Sequence, residues 1–174
     1  MNPDSSNENE DSRENTASVP AEHPLERKIP PVVVFGFFAL AMWAIARYFP
    51  VFAVDIPFQY YLTAFLMGTA ILTAAYSIYL FMKNQTTVHA GKPAETTALV
   101  TDGPYRHSRN PMYLSLSLVL IGWAIFLSDL LCLMLMPLFY IYMTRFQIIS
   151  EERALREKFG EDYDAYTDRT PRWL

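Results

Sequence analysis

The chain has 174 residues, of which 52% are apolar and 15% aromatic, and its formal net charge is −4. Residues 1–28 account for all of that charge, because residues 29–174 hold eleven acidic and eleven basic side chains. We therefore expect no nucleic-acid partner. The single cysteine, Cys132, excludes a disulfide within one chain.

The first 28 residues form an acidic tail with few apolar side chains, beginning MNPDSSNENEDSRENTASVP. Such a composition cannot bury enough apolar surface to offset the entropy lost on ordering, so we predict a disordered tail. A basic segment followed at once by an apolar one is missing, so it is not predicted to be a secretory signal. The folded unit is predicted to be residues 29–174.

Four apolar runs follow, over residues 29–49, 57–82, 111–128 and 129–149. About 20 helical residues cross the hydrocarbon core of a bilayer, and each run is near that length. The sequence therefore predicts an all-α integral membrane bundle with four transmembrane helices. The last two runs are separated only by Ser128 and Asp129, which predicts a tight helical hairpin.

Basic residues are concentrated in the connection between the second and third runs, which carries Lys83, Lys92, Arg106 and Arg109. Short loops rich in lysine and arginine stay on the cytosolic side of a membrane. We therefore predict that both termini and the 83–110 loop are cytosolic.

The end of this loop reads TDGPYRHSRNPMY, which places a basic turn in front of the third apolar run. Asn110 is a favourable N-cap residue, and Pro111 suits the first position of a helix. Membrane anchoring would explain the two arginines, but a guanidinium group also suits a carboxylate or phosphate ligand. Both interpretations remain open from this stretch alone.

The predicted hairpin brings distant residues together. Seventeen residues from Pro111 to Leu127 rise about 25 Å, and an equal return from Leu130 ends near Phe146. Arg106 and Arg109 are therefore predicted to lie within reach of Glu151 and Glu152, at one face of the membrane.

The C-terminal segment, residues 150–174, is predicted to form a cytosolic amphipathic helix with Ser150 as its N-cap. Apolar residues recur at helical spacing on one face of it, namely Leu155, Phe159, Tyr163 and Tyr166.

The motifs LVTDGPYRHSRNPMYL and EERALREKFGEDYDAY, followed by PRW, resemble those of the isoprenylcysteine carboxyl methyltransferase family. The resemblance is closest to the bacterial members grouped with phospholipid methyltransferases. It implies a membrane enzyme that uses S-adenosylmethionine to methylate a lipophilic or membrane-associated acceptor entering from the bilayer. A prenylcysteine-like carboxylate, a phospholipid amine and a small hydrophobic metabolite all remain open as acceptors.

The resemblance also implies the site residues. Arg109 and Glu151 are the expected catalytic residues. The expected cofactor-binding residues are Leu99, Val100, Gly103, Tyr105, Arg106, Arg109, Asn110, Tyr113, Glu151 and Glu152. The apolar walls of the acceptor site are expected to include Met112, Leu116 and Trp123.

Two positions depart from the pattern of the family. Asn110 stands where eukaryotic carboxyl methyltransferases have histidine, and Ser115 stands where glycine is frequent. No metal is expected, since His89 has no partner at metal-ligand spacing.

Two other function classes compete with the transferase. A membrane reductase that uses NADPH would need room for a second nucleotide, which a chain of this length supplies poorly. A non-enzymatic membrane subunit or a carrier is the second alternative, but carriers usually show internal repeats or charged groups at mid-membrane. The second, third and fourth apolar runs have no charge at their centres.

Overall fold

The computed structural model describes residues 29–50, 52–84 and 98–174. The predicted disordered tail and residues 85–97 of the 83–110 loop, including His89 and Lys92, lie outside these ranges. Within them the regular structure is helical, apart from one isolated antiparallel bridge between Ala53 and Asp129. The helices are α1 (Pro31–Tyr48), α2 (Gln59–Lys83), α3 (Pro111–Leu127), α4 (Leu130–Leu133), α5 (Met136–Met143), α6 (Ile149–Phe159) and α7 (Glu161–Thr167). The all-α prediction is thereby confirmed for the described part of the chain.

Three helical stretches are long and apolar enough to cross a membrane: α1, α2 and the run from Leu130 to Phe159. Large apolar side chains such as Phe37, Phe65 and Leu72 are about 70% exposed on α1 and α2, as expected for surfaces that contact lipid. Helix α3 is apolar but has only 17 residues. The predicted count of four transmembrane helices therefore stays a prediction.

The predicted hairpin between α3 and the following run is confirmed. Ser128 adopts a left-handed conformation with φ 54°, and Asp129 is extended. The Asp129 carboxylate accepts a hydrogen bond of 2.8 Å from the amide of Leu131, so it caps the return helix. Backbone hydrogen bonds join this turn to the connection between α1 and α2, at Phe52 and Val54.

The core lies where α1, α3 and the return run meet, around Met42, Leu120, Phe139 and Met143, none of which is exposed.

Small residues let α2 approach α3 closely. A Cβ atom on Gly122 would lie 3.4 Å from the Cβ atom of Leu66, and the Gly122 carbonyl accepts a hydrogen bond from Thr63. Close backbone approach of this kind is typical of helices packed within membranes.

The C-terminal segment differs from its prediction. The predicted helix start at Ser150 is wrong, because a π-helical turn, Thr144–Ile148, joins α5 to α6 without a break. The Ser150 hydroxyl donates to the carbonyl of Gln147 and caps nothing. The helix then ends at Gly160, whose φ of +51° suits glycine. The predicted single helix is therefore two helices, α6 and α7.

Candidate functional site

The motif in front of α3 folds as a 3₁₀ turn, Gly103–Arg106, followed by a short link to Pro111. Tyr105 anchors this turn, because its ring is buried beside Val100 and Leu80. Its backbone carbonyl also accepts a hydrogen bond of 2.7 Å from the Tyr166 hydroxyl of α7. Burial raises the pKa of the Tyr105 hydroxyl, so this hydroxyl stays protonated.

Arg109 and Glu152 meet as the hairpin geometry predicts. The distance between the Arg109 Nη2 atom and the Glu152 Oε1 atom is 3.4 Å, and their side chains are only 13% and 12% exposed. A second arginine, Arg172, holds the same carboxylate with both arms of its guanidinium group. Its Nη2 and Nε atoms lie 2.6 and 3.0 Å from Oε2 and Oε1 of Glu152. Glu152 is thus shared by two arginines, and its hydrogen bonds raise the pKa of Arg172.

Glu151 points to α3. Its Oε1 atom accepts a hydrogen bond of 2.6 Å from the hydroxyl of Tyr113, which is buried in the first turn of that helix. The two acidic neighbours therefore face different partners. Arg109 also donates a hydrogen bond to the Tyr163 hydroxyl of α7, and burial raises the pKa of Tyr163 to about 12.

The chain terminus folds back over the motif. The backbone amide of Arg109 donates to the Pro171 carbonyl at 3.0 Å, and the Asn110 side chain donates to the Arg172 carbonyl at 3.0 Å. Asn110 does occupy the N-cap position of α3, as predicted, but its side chain caps nothing because it is engaged with the terminus. The Ser108 hydroxyl also reaches the Arg172 carbonyl, at 3.3 Å.

A cavity of about 790 Å³ opens on the other side of the motif, between α2 and α3. Two of the predicted cofactor residues, Gly103 and Arg106, line it. Pro111 and Leu114 of α3 also face it, whereas Tyr113 is turned by about 200° from Pro111 toward Glu151. The Tyr113–Glu151 contact and this cavity therefore lie on different sides of α3. Ser108 connects them at the N-terminal end of the helix, because it lines the cavity and its hydroxyl donates to the Arg172 carbonyl. The other lining residues are Thr73, Tyr76, Leu80, Lys83, Asp102, Pro104, His107 and Ser108.

The remaining predicted site residues are placed as follows. Arg106 does not join the acidic pair, so that prediction is wrong; it pairs instead with Asp102 at 3.2 Å, where both side chains are about 70% exposed. The 3₁₀ turn explains this, because it folds Arg106 back toward Asp102, the residue that precedes the turn. Val100 is buried in the packing around Tyr105, and Leu99 is half-buried beside it.

Sequence reasoning missed the roles of Arg172 and Tyr163. The stretch PRW contributed only to the family resemblance, and Tyr163 was assigned to an apolar face. Arg172 lies twenty residues beyond Glu152, at no helical spacing from it, so no local pattern could pair the two. Within the described ranges, histidine, cysteine, aspartate and glutamate form no group of three that could hold a metal ion.

Met112, Leu116 and Trp123 do not line the cavity described above. Leu116 and Trp123 pack against the core, and the Trp123 indole donates to the Ala39 carbonyl of α1 at 3.0 Å. Pro111 and Leu114 are the residues of α3 that face the cavity.

A family model described as phospholipid methyltransferase matches residues 58–162 of the chain. The match covers α2, α3, the return run and the start of α7, and it includes Arg109, Tyr113, Glu151 and Glu152, whereas Tyr163 and Arg172 lie beyond it. An uncharacterized protein of Haemophilus influenzae is 40% identical over 63 residues, which are 36% of this chain and the whole of that relative. No solved structure matches the chain. The chain belongs to the phospholipid methyltransferase family, as the resemblance of its motifs to isoprenylcysteine carboxyl methyltransferases predicted.

Proposed function

We propose that this protein transfers a methyl group from S-adenosylmethionine to a lipophilic acceptor, with the cofactor held beside Arg109 and Glu151. Membership of a methyltransferase family supports the reaction class. The observation that carries the proposal is that two contacts, Arg109 with Glu152 and Tyr113 with Glu151, are made at the same end of α3 by side chains that are buried or only partly exposed.

The groups present fit such a cofactor. Its amino-acid end offers a carboxylate and an ammonium group, and its ribose offers two hydroxyls. The Nε atom of Arg109 is buried without a hydrogen-bond partner among the described residues, so it has a donor to offer a carboxylate. A carboxylate such as Glu151 is the natural partner of an ammonium group or of ribose hydroxyls.

Methyl transfer from a sulfonium group needs little general acid–base catalysis. The bound cofactor supplies a methyl group on positively charged sulfur, and the sulfur leaves as a neutral thioether. The residues of this chain therefore act by binding, orienting and excluding water. In this proposal Arg109 fixes one end of the cofactor, and Tyr113 holds Glu151 in the orientation that binds the other end.

The cavity between α2 and α3 is the proposed entrance for the acceptor, whose reactive group would reach the cofactor past Ser108 at the N-terminal end of α3. Leu80, Pro111 and Leu114 make one side of it apolar, and Arg106, Asp102 and Lys83 make its rim charged. Its volume of about 790 Å³ lies within the roughly 300–1,000 Å³ range of small-molecule sites. A lipophilic molecule with a polar head suits such walls, and a prenylcysteine-like carboxylate, a phospholipid amine and a small hydrophobic metabolite all have that character.

Neighbouring residues of α2 give a matched test of this entrance. Thr73 lines the cavity, whereas Leu72 points outward and is 72% exposed. Thr73→Trp is expected to raise the apparent KM for the acceptor by about tenfold, because the indole fills the entrance, while the Kd of the cofactor stays unchanged. Leu72→Trp is expected to change neither value. Equal acceptor kinetics in the two variants would remove the cavity from the proposal.

The function itself is tested with a methyl-labelled donor. Membranes containing the protein are incubated with labelled S-adenosylmethionine and then separated into lipid, protein-ester and volatile fractions. We expect label above that of membranes without the protein in one of the three fractions, and the fraction identifies the acceptor class. Glu151→Gln should remove that label. Equal labelling with and without the protein would contradict the proposal, and NADPH oxidation by the same membranes would favour the reductase alternative.

A further inference from the structure

Glu152 is held mainly by Arg172 and only weakly by Arg109. Both oxygens of the carboxylate accept hydrogen bonds from Arg172, at 2.6 and 3.0 Å, in the side-by-side geometry that is strongest for this pair. Arg109 makes one contact with the same carboxylate, at 3.4 Å. That distance exceeds the usual 2.7–2.9 Å of a charge-assisted hydrogen bond.

Arg172 is itself fixed by its neighbours along the chain. The indole of Trp173 packs edge-on against Tyr140, with ring centroids 4.7 Å apart, and donates to the Thr144 hydroxyl at 3.1 Å. The carbonyl groups of Pro171 and Arg172 accept hydrogen bonds from the motif in front of α3. The terminus is thus tied to the return run and to the motif, which aims the guanidinium group of Arg172 at Glu152.

We propose that Arg172 is a positioning residue: by acting as the counter-ion of Glu152, it leaves the Arg109 guanidinium group available to the carboxylate of the cofactor. The expected effect on cofactor binding rests on the proposed function, but the pairing of Arg172 with Glu152 can be tested without any ligand. Arg109 retains a buried Nε donor that no described group satisfies. Without Arg172, Glu152 still contacts Arg109 and is expected to close on it with both oxygens.

Four variants test this arrangement: Arg172→Gln, Glu152→Gln, the double variant, and Arg169→Gln as a control. Arg169 carries the same charge in the same segment and is exposed, and its Nε atom donates to the carbonyl of Ala165 in α7. Binding of S-adenosylhomocysteine is measured on purified, folded protein.

We expect Arg172→Gln to raise the Kd by about tenfold, the loss expected for one charge-assisted hydrogen bond. The double variant should recover most of that affinity, because the carboxylate that competes for Arg109 is gone. Arg169→Gln should bind like the wild type. A double variant that binds as weakly as Arg172→Gln would overturn the proposal, since a purely structural role of Arg172 cannot be rescued at Glu152.

A second measurement separates this inference from the proposed function. The Nε–H signal of Arg109, observed by nuclear magnetic resonance in the ligand-free protein, should shift in Arg172→Gln and not in Arg169→Gln. If the wild type binds no cofactor while that signal shifts, the proposed function fails and the ionic arrangement stands. If the signal stays in place, the inference fails whatever the protein binds.

Discussion

Replacing Arg109 with glutamine is expected to lower kcat/KM for methyl transfer by about a hundredfold. This is the loss expected when the proposed pair between the Arg109 guanidinium group and the cofactor carboxylate loses one of its buried partners. Arg109 is largely buried, contacts Glu152 and Tyr163, and keeps one Nε donor without a partner. Glutamine is neutral and shorter, so it cannot hold the carboxylate end of the cofactor. The loss should therefore fall on cofactor affinity, measured as KM and Kd for S-adenosylmethionine.

The control for this variant is Arg156→Gln, which removes an equal charge from α6. Arg156 is exposed and pairs with Asp164 at 2.6 Å, at the surface. Its replacement should leave kcat/KM within about twofold of the wild type, since exposed ion pairs contribute little. An Arg109→Gln enzyme that keeps wild-type kinetics would place the cofactor elsewhere.

Replacing Gly103 with alanine is expected to destabilise the protein by about 2 kcal/mol or more. The φ of Gly103 is +58°, a conformation that costs other residues about 1–2 kcal/mol. An added Cβ atom would also lie 2.8 Å from side-chain atoms of both Leu80 and Tyr76, so the 3₁₀ turn could not keep its position against α2. Thermal unfolding in detergent should show a fall in Tm of about 5 °C, given a change of roughly 2–4 °C per kcal/mol for a chain of this length.

Gly36 provides the matched control for this substitution. It lies within α1, has an ordinary helical conformation, and an added Cβ atom there would have no neighbour within 4 Å. Gly36→Ala should leave Tm unchanged or raise it slightly, because alanine favours helix. Equal melting temperatures for Gly103→Ala and the wild type would contradict the strained turn.

Hydropathy and spacing predicted most of the architecture, because those properties decide which segments are helical and how long they are. The first three apolar runs became α1, α2 and α3, with limits that differ by at most two residues, whereas the return run continues ten residues past its predicted end, to Phe159. The contact between Arg109 and Glu152 followed from rise per residue and a tight turn at Ser128 and Asp129. That inference needed no side-chain detail, since two antiparallel helices of equal length must bring their outer ends together.

The features that were missed depend on backbone geometry that has no local pattern. The π-helical turn at Thr144–Ile148 carries the helix through Ser150, so an apparent N-cap residue lies inside it. The positive φ of Gly160 redirects the chain, and the terminus then returns to the motif. Arg172 reaches Glu152 only because of that return. Arg106 was paired wrongly because its partner is local. It pairs with Asp102, four residues before it, and not with the distant acidic pair.

The central claim, that Arg109 binds the carboxylate of S-adenosylmethionine, is tested most directly by ligand-induced stabilisation. Purified wild-type protein and the Arg109→Gln variant are melted with S-adenosylhomocysteine and, separately, with NADPH. Saturation at about 100 times Kd should stabilise the wild type by about 2.7 kcal/mol. We expect that shift with S-adenosylhomocysteine alone, and a much smaller one in Arg109→Gln. Equal stabilisation of both proteins, or stabilisation by NADPH only, would contradict the account.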